Sequence, residues 1–183
     1  GEWMPGPGMD LVGRLTAWFN NVSFIAEDLG SLTPQVHKML ADSGLPGMKV
    51  LEFAFDPNSL SDYLPHRIGE NSICYAGTHD NNTLRGWIDE ESPETLAFAR
   101  EYLGIDDDAD LADAVLRAGM RSKAELFIAQ MQDWLGLGVD ARMNTPGTVG
   151  GNWAWRMTPG SETKALAGKM RRMAYIYGRS DKK

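Results

Sequence analysis

Side chains able to do acid–base chemistry collect just behind apolar runs of this sequence. Glu27 and Asp28 follow VSFIA, Asp56 follows KVLEFAF, and Thr78, His79 and Asp80 follow SICYAG. Carboxyls in such places suit proton transfer, and an imidazole beside one suits hydrogen bonding to a substrate. Parallel α/β folds bind ligands at the C-terminal edge of their strands, where strand ends and helix N-termini meet. Any one acid after a strand is more often a plain loop or N-cap residue. Repetition over three strands weighs toward a site. Trp153 and Trp155 alternate in GNWAWR, within a Gly-rich loop, as core plugs or as flat platforms for sugar rings.

Other chemistries fail on spacing. No Gly-x-Ser-x-Gly elbow exists for a serine hydrolase. His37, His66 and His79 are scattered, so no metal site is expected, and neither a GxGxxG segment nor a P-loop is present, so no cofactor is expected. The lone Cys74 cannot form an internal disulfide, and within SICYA it reads as a small buried hydrophobe.

The elements that would position these groups alternate between helical and strand patterns. Leu11, Val12, Leu15 and Phe19 share one face of a helix over residues 9–19, and VSFIA reads as a first strand. Thr33 and Pro34 open a helix that Gly44 closes, and KVLEFAF is a second strand. SICYAG is a third strand after a polar loop over residues 56–72. Ser92 and Pro93 start a helix ended by Gly104, a further helix runs from Leu111 to about Glu125 with Gly119 as its weak point, and FIAQM is a fourth strand. The last helix turns Leu166, Met170, Met173 and Tyr177 inward. Alternation at this spacing predicts an α/β fold of about four parallel strands, a small open sheet or one half of an eight-stranded barrel, in a single domain over residues 1–183. A complete barrel of this kind needs about 250 residues.

Composition removes further classes. The 18 basic and 25 acidic residues leave a net charge of −7, which disfavours a nucleic-acid partner. No run of apolar residues is long enough to span a membrane, and GEWMPGPG lacks the marks of a signal peptide, so a cytoplasmic chain is expected.

Six ordered segments give a specific resemblance: IAEDLG, LPGMKVLEFAF, YLPH, YAGTHDNNTLRGW, ARMNTPG and GNWAWR. In order and spacing they are similar to the amylomaltases, the bacterial 4-α-glucanotransferases also called disproportionating enzymes, over essentially the whole chain. The resemblance implies a retaining transglycosylase on a (β/α)₈ barrel acting on α-1,4-glucans and maltooligosaccharides. It implies Glu27 as general acid/base and Asp80 as the carboxylate that supports the positive charge developing on the sugar. His79, Asn144 and Phe53 are implied as sugar-binding groups, with Asp28 orienting the site and Asn152 and Trp153 as lesser contacts.

Two departures stand out. Where the family has Asp-Asn-Asp-Thr, this chain has Asp80-Asn81-Asn82-Thr83, a change expected to be tolerated. The family's nucleophilic aspartate lies in an Arg-x-Asp-His-x-Arg type of motif, whereas the only Arg-x-Asp here is Arg179 to Asp181. The chain therefore resembles the C-terminal half of the barrel, supplying acid/base and transition-state stabiliser without the nucleophile, and by itself is expected to be inactive. A non-catalytic glucan-binding or assembly half barrel is the alternative, and a hydrolytic α-glucosidase shares the same residues. Because half a barrel leaves open edges, VSFIA and FIAQM are expected to be covered by an N-terminal half or by a second copy.

Overall fold

Capping chemistry sets the helix starts. Thr33 accepts a hydrogen bond from Val36 N, Thr83 from Gly86 N, Ser92 from Thr95 N and Thr163 from Leu166 N. Each bond satisfies an N–H that the first helical turn leaves unpaired. The computed structural model describes residue 2 and residues 4–180, so part of GEWMPGPG and Asp181 lie outside the described residues. The helices are α1 (Met9–Trp18), α2 (Pro34–Ser43), α3 (Leu84–Glu90), α4 (Pro93–Leu103), α5 (Leu111–Arg121), α6 (Met131–Trp134) and α7 (Lys164–Ile176). Gly44 and Gly104 end α2 and α4 in the left-handed region, as anticipated.

Three strands, β1 (Gly47–Val50), β2 (Ser72–Tyr75) and β3 (Leu126–Ile128), form a parallel sheet in the order β1-β2-β3. Gly47 pairs with Ser72 and Val50 with Tyr75; on the other side Ile73 pairs with Leu126 and Tyr75 with Ile128. β2 and β3 are joined through α3, α4 and α5, and β1 and β2 through a loop with two short 3₁₀ turns, which gives the expected α/β class. α5 packs against α3, α4 and α7, and Leu111, Val115 and Leu116 are buried in the common core with Phe55, Leu84 and Met173. Leu166, Met170 and Tyr177 pack inward beside Met173, as their spacing predicts. Cys74 is fully buried, and burial pushes its thiol up to about 12.

Three expectations need correction. VSFIA is not a strand: its segment is extended, and its link to β1 is one backbone bond from Ala26 N to Pro46 O at 2.9 Å. The Met48 N–H, which a neighbouring strand could have used, donates instead to Asp28 Oδ1 at 2.6 Å. The sheet thus has three strands rather than four. KVLEFAF leaves the strand conformation after Val50, where Leu51–Phe53 tighten into a 3₁₀ turn. The helix from Leu111 stops at Arg121, where Ser122 leaves the helical region at ψ 162° and both its N–H and its hydroxyl bond Gly119 O, and the chain then turns into β3. The first helix forms, but its apolar face buries nothing fully; Leu11 and Phe19 stay about half exposed.

Candidate active site

The turn after β2 is built around its own polar side chains. Backbone pairing continues one residue past β2, with Ala76 N donating to Ile128 O and Glu52 N to Ala76 O. Asn81 then closes the turn: its Oδ1 accepts from Thr78 N at 2.9 Å and from Thr78 Oγ1 at 2.7 Å, while Thr78 Oγ1 accepts from Asp80 N at 3.3 Å. This arrangement leaves His79 and Asp80 on the rim, each side chain about half exposed.

Asp80 is held from several sides. Its Oδ1 accepts from Asn144 Nδ2 at 2.6 Å and lies 3.2 Å from His79 Nε2. The Arg142 guanidinium donates to Asp80 O at 2.8 Å and, through Nε, to Asn144 O at 2.9 Å, tying the 141–144 segment to the turn. The His79 ring stacks on Trp153, with centroids 5.0 Å apart and planes tilted by 38°. Trp153 has φ of 61°, a left-handed conformation that is costly for a bulky residue and tends to persist where surrounding structure imposes it.

Beneath the turn lie groups absent from the sequence expectations. Gln130 Nε2 donates to Asn82 O at 3.3 Å, and Asp133 Oδ1 accepts from Leu84 N at 2.8 Å at the start of α3. Burial pushes the Asp133 carboxyl up to about 6, against hydrogen bonds from Leu84 and Gln130 that favour its charge. Glu52 is buried under Gly77, and burial, reinforced by the charge of Asp133, pushes it up to about 9.

Across from this turn, Glu27 sits on the extended segment beside β1. A cleft of about 850 Å³ brings Glu27, Phe53, Tyr75, His79, Asp80 and Gln130 to one surface. Phe53 is half exposed and meets Tyr63 edge to face at 6.0 Å. Two carboxyls from separate elements, an imidazole and an aromatic ring on one open cleft can exchange a proton and support positive charge on a polar ligand.

The structure therefore gathers Glu27, Phe53, His79 and Asp80 on the cleft, with Asn144 joined through Asp80 and Trp153 through His79. Asp28 and Asn152 do not line it. The Asp28 carboxylate turns to β1, bonding Met48 N and lying 3.7 Å from Lys49 Nζ. Asn152 folds its own loop, accepting from Thr145 N and donating to Thr148 Oγ1. Sequence reasoning missed Arg142, Gln130 and Glu52. Arg142 was within reach, since it stands two residues before Asn144 in ARMNTPG. Among the described residues no group of three His, Cys, Asp or Glu is placed to hold a metal, and no helix is long and apolar enough to cross a membrane.

Comparison with known proteins gives this geometry a context. The sequence profile of the 4-alpha-glucanotransferase family matches residues 1–163. A 4-alpha-glucanotransferase of Clostridium butyricum is 40% identical over 182 residues, 99% of this chain and 37% of the relative. A chloroplastic/amyloplastic 4-alpha-glucanotransferase of Arabidopsis thaliana is 40% identical over 98% of this chain and 32% of its own length. Among solved structures, the amylomaltase from Streptococcus agalactiae in complex with acarbose superposes with a TM-score of 0.92 at 36% identity, over 99% of this chain and 37% of that one. The chain thus spans about a third of the length of these relatives.

Proposed function

The chain belongs to the 4-alpha-glucanotransferase family, and from that premise we propose that it is the C-terminal part of the catalytic barrel of a retaining enzyme that transfers α-1,4-glucan segments to the 4-OH of glucose or another glucan. The observation that carries this reading is the meeting of Glu27 and Asp80, from separate elements, on one open cleft. Glu27 protonates the departing glycosidic oxygen and later takes the proton of the incoming sugar hydroxyl. Asp80 bonds hydroxyls of the distorted ring and supports its developing charge, while the Asn144 amide and the His79 ring hold its carboxylate in place. His79 and Asn144 also reach the sugar; Phe53 lines the acceptor side, and Trp153 backs His79. Asp28 serves by fastening the Glu27 segment to β1, and Asn152 by shaping the loop that carries Trp153.

The covalent intermediate requires a second carboxyl about 5 Å from the acid/base. In this reading it comes from an N-terminal part of the barrel that also covers Ile25 and Ile128, both apolar and exposed on the cleft. The site of action is the cytoplasm, and starch, glycogen or maltodextrin supplies the substrate. The test is disproportionation of maltotriose by the full-length protein carrying these residues. Release of glucose with longer maltooligosaccharides, lost on Glu27→Gln and on Asp80→Asn, supports the reading; glucan binding without transfer supports the non-catalytic half barrel instead. Exposed Leu126 and Ile128 on the end strand favour covering by another polypeptide under either outcome.

A further inference from the structure

A carboxyl that does not itself line the cleft lies directly beneath two residues that do, Gly77 and Asn81. Glu52 follows β1 in the tight turn that swings Phe53 toward the cleft, and its own side chain goes the opposite way, inward, leaving the residue 8% exposed. Its Oε1 is buried without a hydrogen-bond partner among the described residues. The carboxyl occupies the space against Gly77 that any Cβ there would need. The Asn81 side chain lies against the same position of Gly77, its Cβ 3.2 Å from where a Cβ there would stand. Asn81 in turn accepts from both the backbone and the hydroxyl of Thr78, and that hydroxyl accepts from Asp80 N. Glu52 therefore lies under Gly77 beside the side chain whose bonds run through Thr78 to the backbone of Asp80.

We propose that Glu52 is a positioning residue of the site, its carboxyl filling the space under Gly77 and so fixing the turn that Asn81 closes and that presents His79 and Asp80 to the sugar. The inference rests on the reading of Asp80 given above. The groups that face Glu52 define the form in which it acts. Asp133 from α6 and Glu91 at the end of α3 disfavour its charge, Arg142 and Asn81 favour it, and desolvation outweighs them all, so that the carboxyl is neutral at pH 7 and ionises near 9. A neutral acid lets the turn close over it. Ionisation would put an uncompensated charge under Gly77 and force the turn to open.

The experiment uses the full-length protein carrying these residues, with three substitutions read by melting temperature and by kcat and KM for maltotriose across pH 6–10. Glu52→Gln keeps the shape and an amide without the proton. It should retain kcat within about threefold at pH 7 and lack the alkaline fall in kcat expected of the wild type near pH 9. Glu52→Leu fills the volume and removes the polar carboxyl from beneath Gly77; it should stay folded and lower kcat about ten- to a hundredfold, the scale on which loss of site geometry is felt, with KM changing far less. Asp80→Asn reports separately on the parent reading: full activity there would remove the role of Asp80 and leave the Glu52 measurements standing as tests of turn geometry. Wild-type kcat in Glu52→Leu, or an alkaline limb unmoved in Glu52→Gln, would overturn the proposal.

Discussion

Glu27 and Asp80 face one cleft from segments of opposite construction. Around Asp80, residues 76–84 are mostly buried, tied to α6 through Asp133 and Gln130 and to the 141–144 segment through Arg142. Around Glu27, residues 19–30 include no buried residue, α1 and α2 beside them bury none, and Trp18 is 72% exposed. What holds the Glu27 segment to β1 is the Ala26 bond to Pro46 and the Asp28 carboxylate on Met48 N. One side of the cleft is rigid by its own contacts, because buried polar groups with partners restrict motion. The other side has the few buried contacts that mark low local stability. If Glu27 and Asp80 act as proposed, the pre-organised charge lies on the braced turn and the proton donor on a segment with few contacts of its own.

The sharpest way to break that comparison is to alter both carboxyls and follow activity and stability together. In the full-length protein, Glu27→Gln should lower kcat by roughly 10² to 10⁴, the share that general acid/base help supplies, and leave the melting temperature unchanged. Its side chain is exposed and braces nothing. Asp80→Asn should lower kcat by about 10² to 10³. It should also cost some stability, since Asn144 Nδ2 then donates to a neutral carbonyl instead of a carboxylate. A melting temperature that falls for Glu27→Gln and holds for Asp80→Asn would reverse the assignment of rigid and loose sides.

A pH series probes the braced side alone. Burial raises Glu52 from 4.5 to about 9 and Asp133 from 3.8 to about 6. Between those limits the folded chain holds protons that the unfolded chain has released. Stability therefore falls as pH rises, by up to about 1.4 kcal/mol per unit for one carboxyl, beginning near pH 4 and levelling above about 9. Chemical denaturation of this chain from pH 4 to 10 checks the slope, and Glu52→Gln should flatten its upper part. A stability curve level from pH 6 to 9 would contradict a neutral Glu52.

Two carboxylate deletions compare the fastenings directly. Asp133→Ala strands the Leu84 N–H in the core and should cost about 1 to 3 kcal/mol of global stability. Asp28→Ala strands only Met48 N and releases an already exposed segment. It should speed hydrogen exchange at Ala26 by at least about tenfold while shifting the global transition by less than about 1 kcal/mol. Equal global costs for the two would show that the Glu27 side is as firmly built as the Asp80 side.

Much of this was legible from residue types, and the failures share a cause. Caps read correctly because they are local: Thr33, Ser92, Gly44 and Gly104 act through bonds within a few residues of themselves. The clustering of Phe53, His79 and Asp80 was readable because strand ends in parallel sheets share an edge, whereas Glu27 reaches the cleft from a segment that is not a strand. VSFIA misled because an apolar, β-branched run forms a strand only beside a partner, and the Met48 N–H goes to Asp28 instead. How Asp28, expected to orient the site, is placed was not legible, since the group it bonds, Met48 N, lies 20 residues away. Glu52 was invisible: within an apolar run, nothing local marks a carboxyl that is buried against the distant Gly77 turn. Its only trace was an acid where a buried strand wants none. The α3 helix was missed although Thr83 caps it, because Gly86 lowers helix propensity. Gly86 is needed there, since a Cβ would meet the Asn82 side chain.

The smallest effect concerns that asparagine, the second of the pair in Asp80-Asn81-Asn82-Thr83. Asn82 is buried, and its Nδ2 donates to Glu90 Oε2 at 2.9 Å, while its Oδ1 accepts from Thr83 N. An amide satisfies both partners; a carboxylate keeps the bond to Thr83 and turns the contact with Glu90 into repulsion between like charges. Asn82→Asp should therefore cost about 1 kcal/mol at pH 7 and less below pH 4, where a shared proton restores a donor. Glu90→Gln added to it should recover most of the loss, because the new amide donates back to the carboxylate introduced opposite it. Activity should stay within about threefold throughout, since Thr78, Asn81 and Arg142 hold Asp80 without help from position 82. Denaturant melts of the single and double variants at pH 3.5 and 7 decide it: a cost that neither low pH nor Glu90→Gln relieves would mean that the Asp80 turn depends on the Asn82 amide itself, and the braced side would then extend into α3.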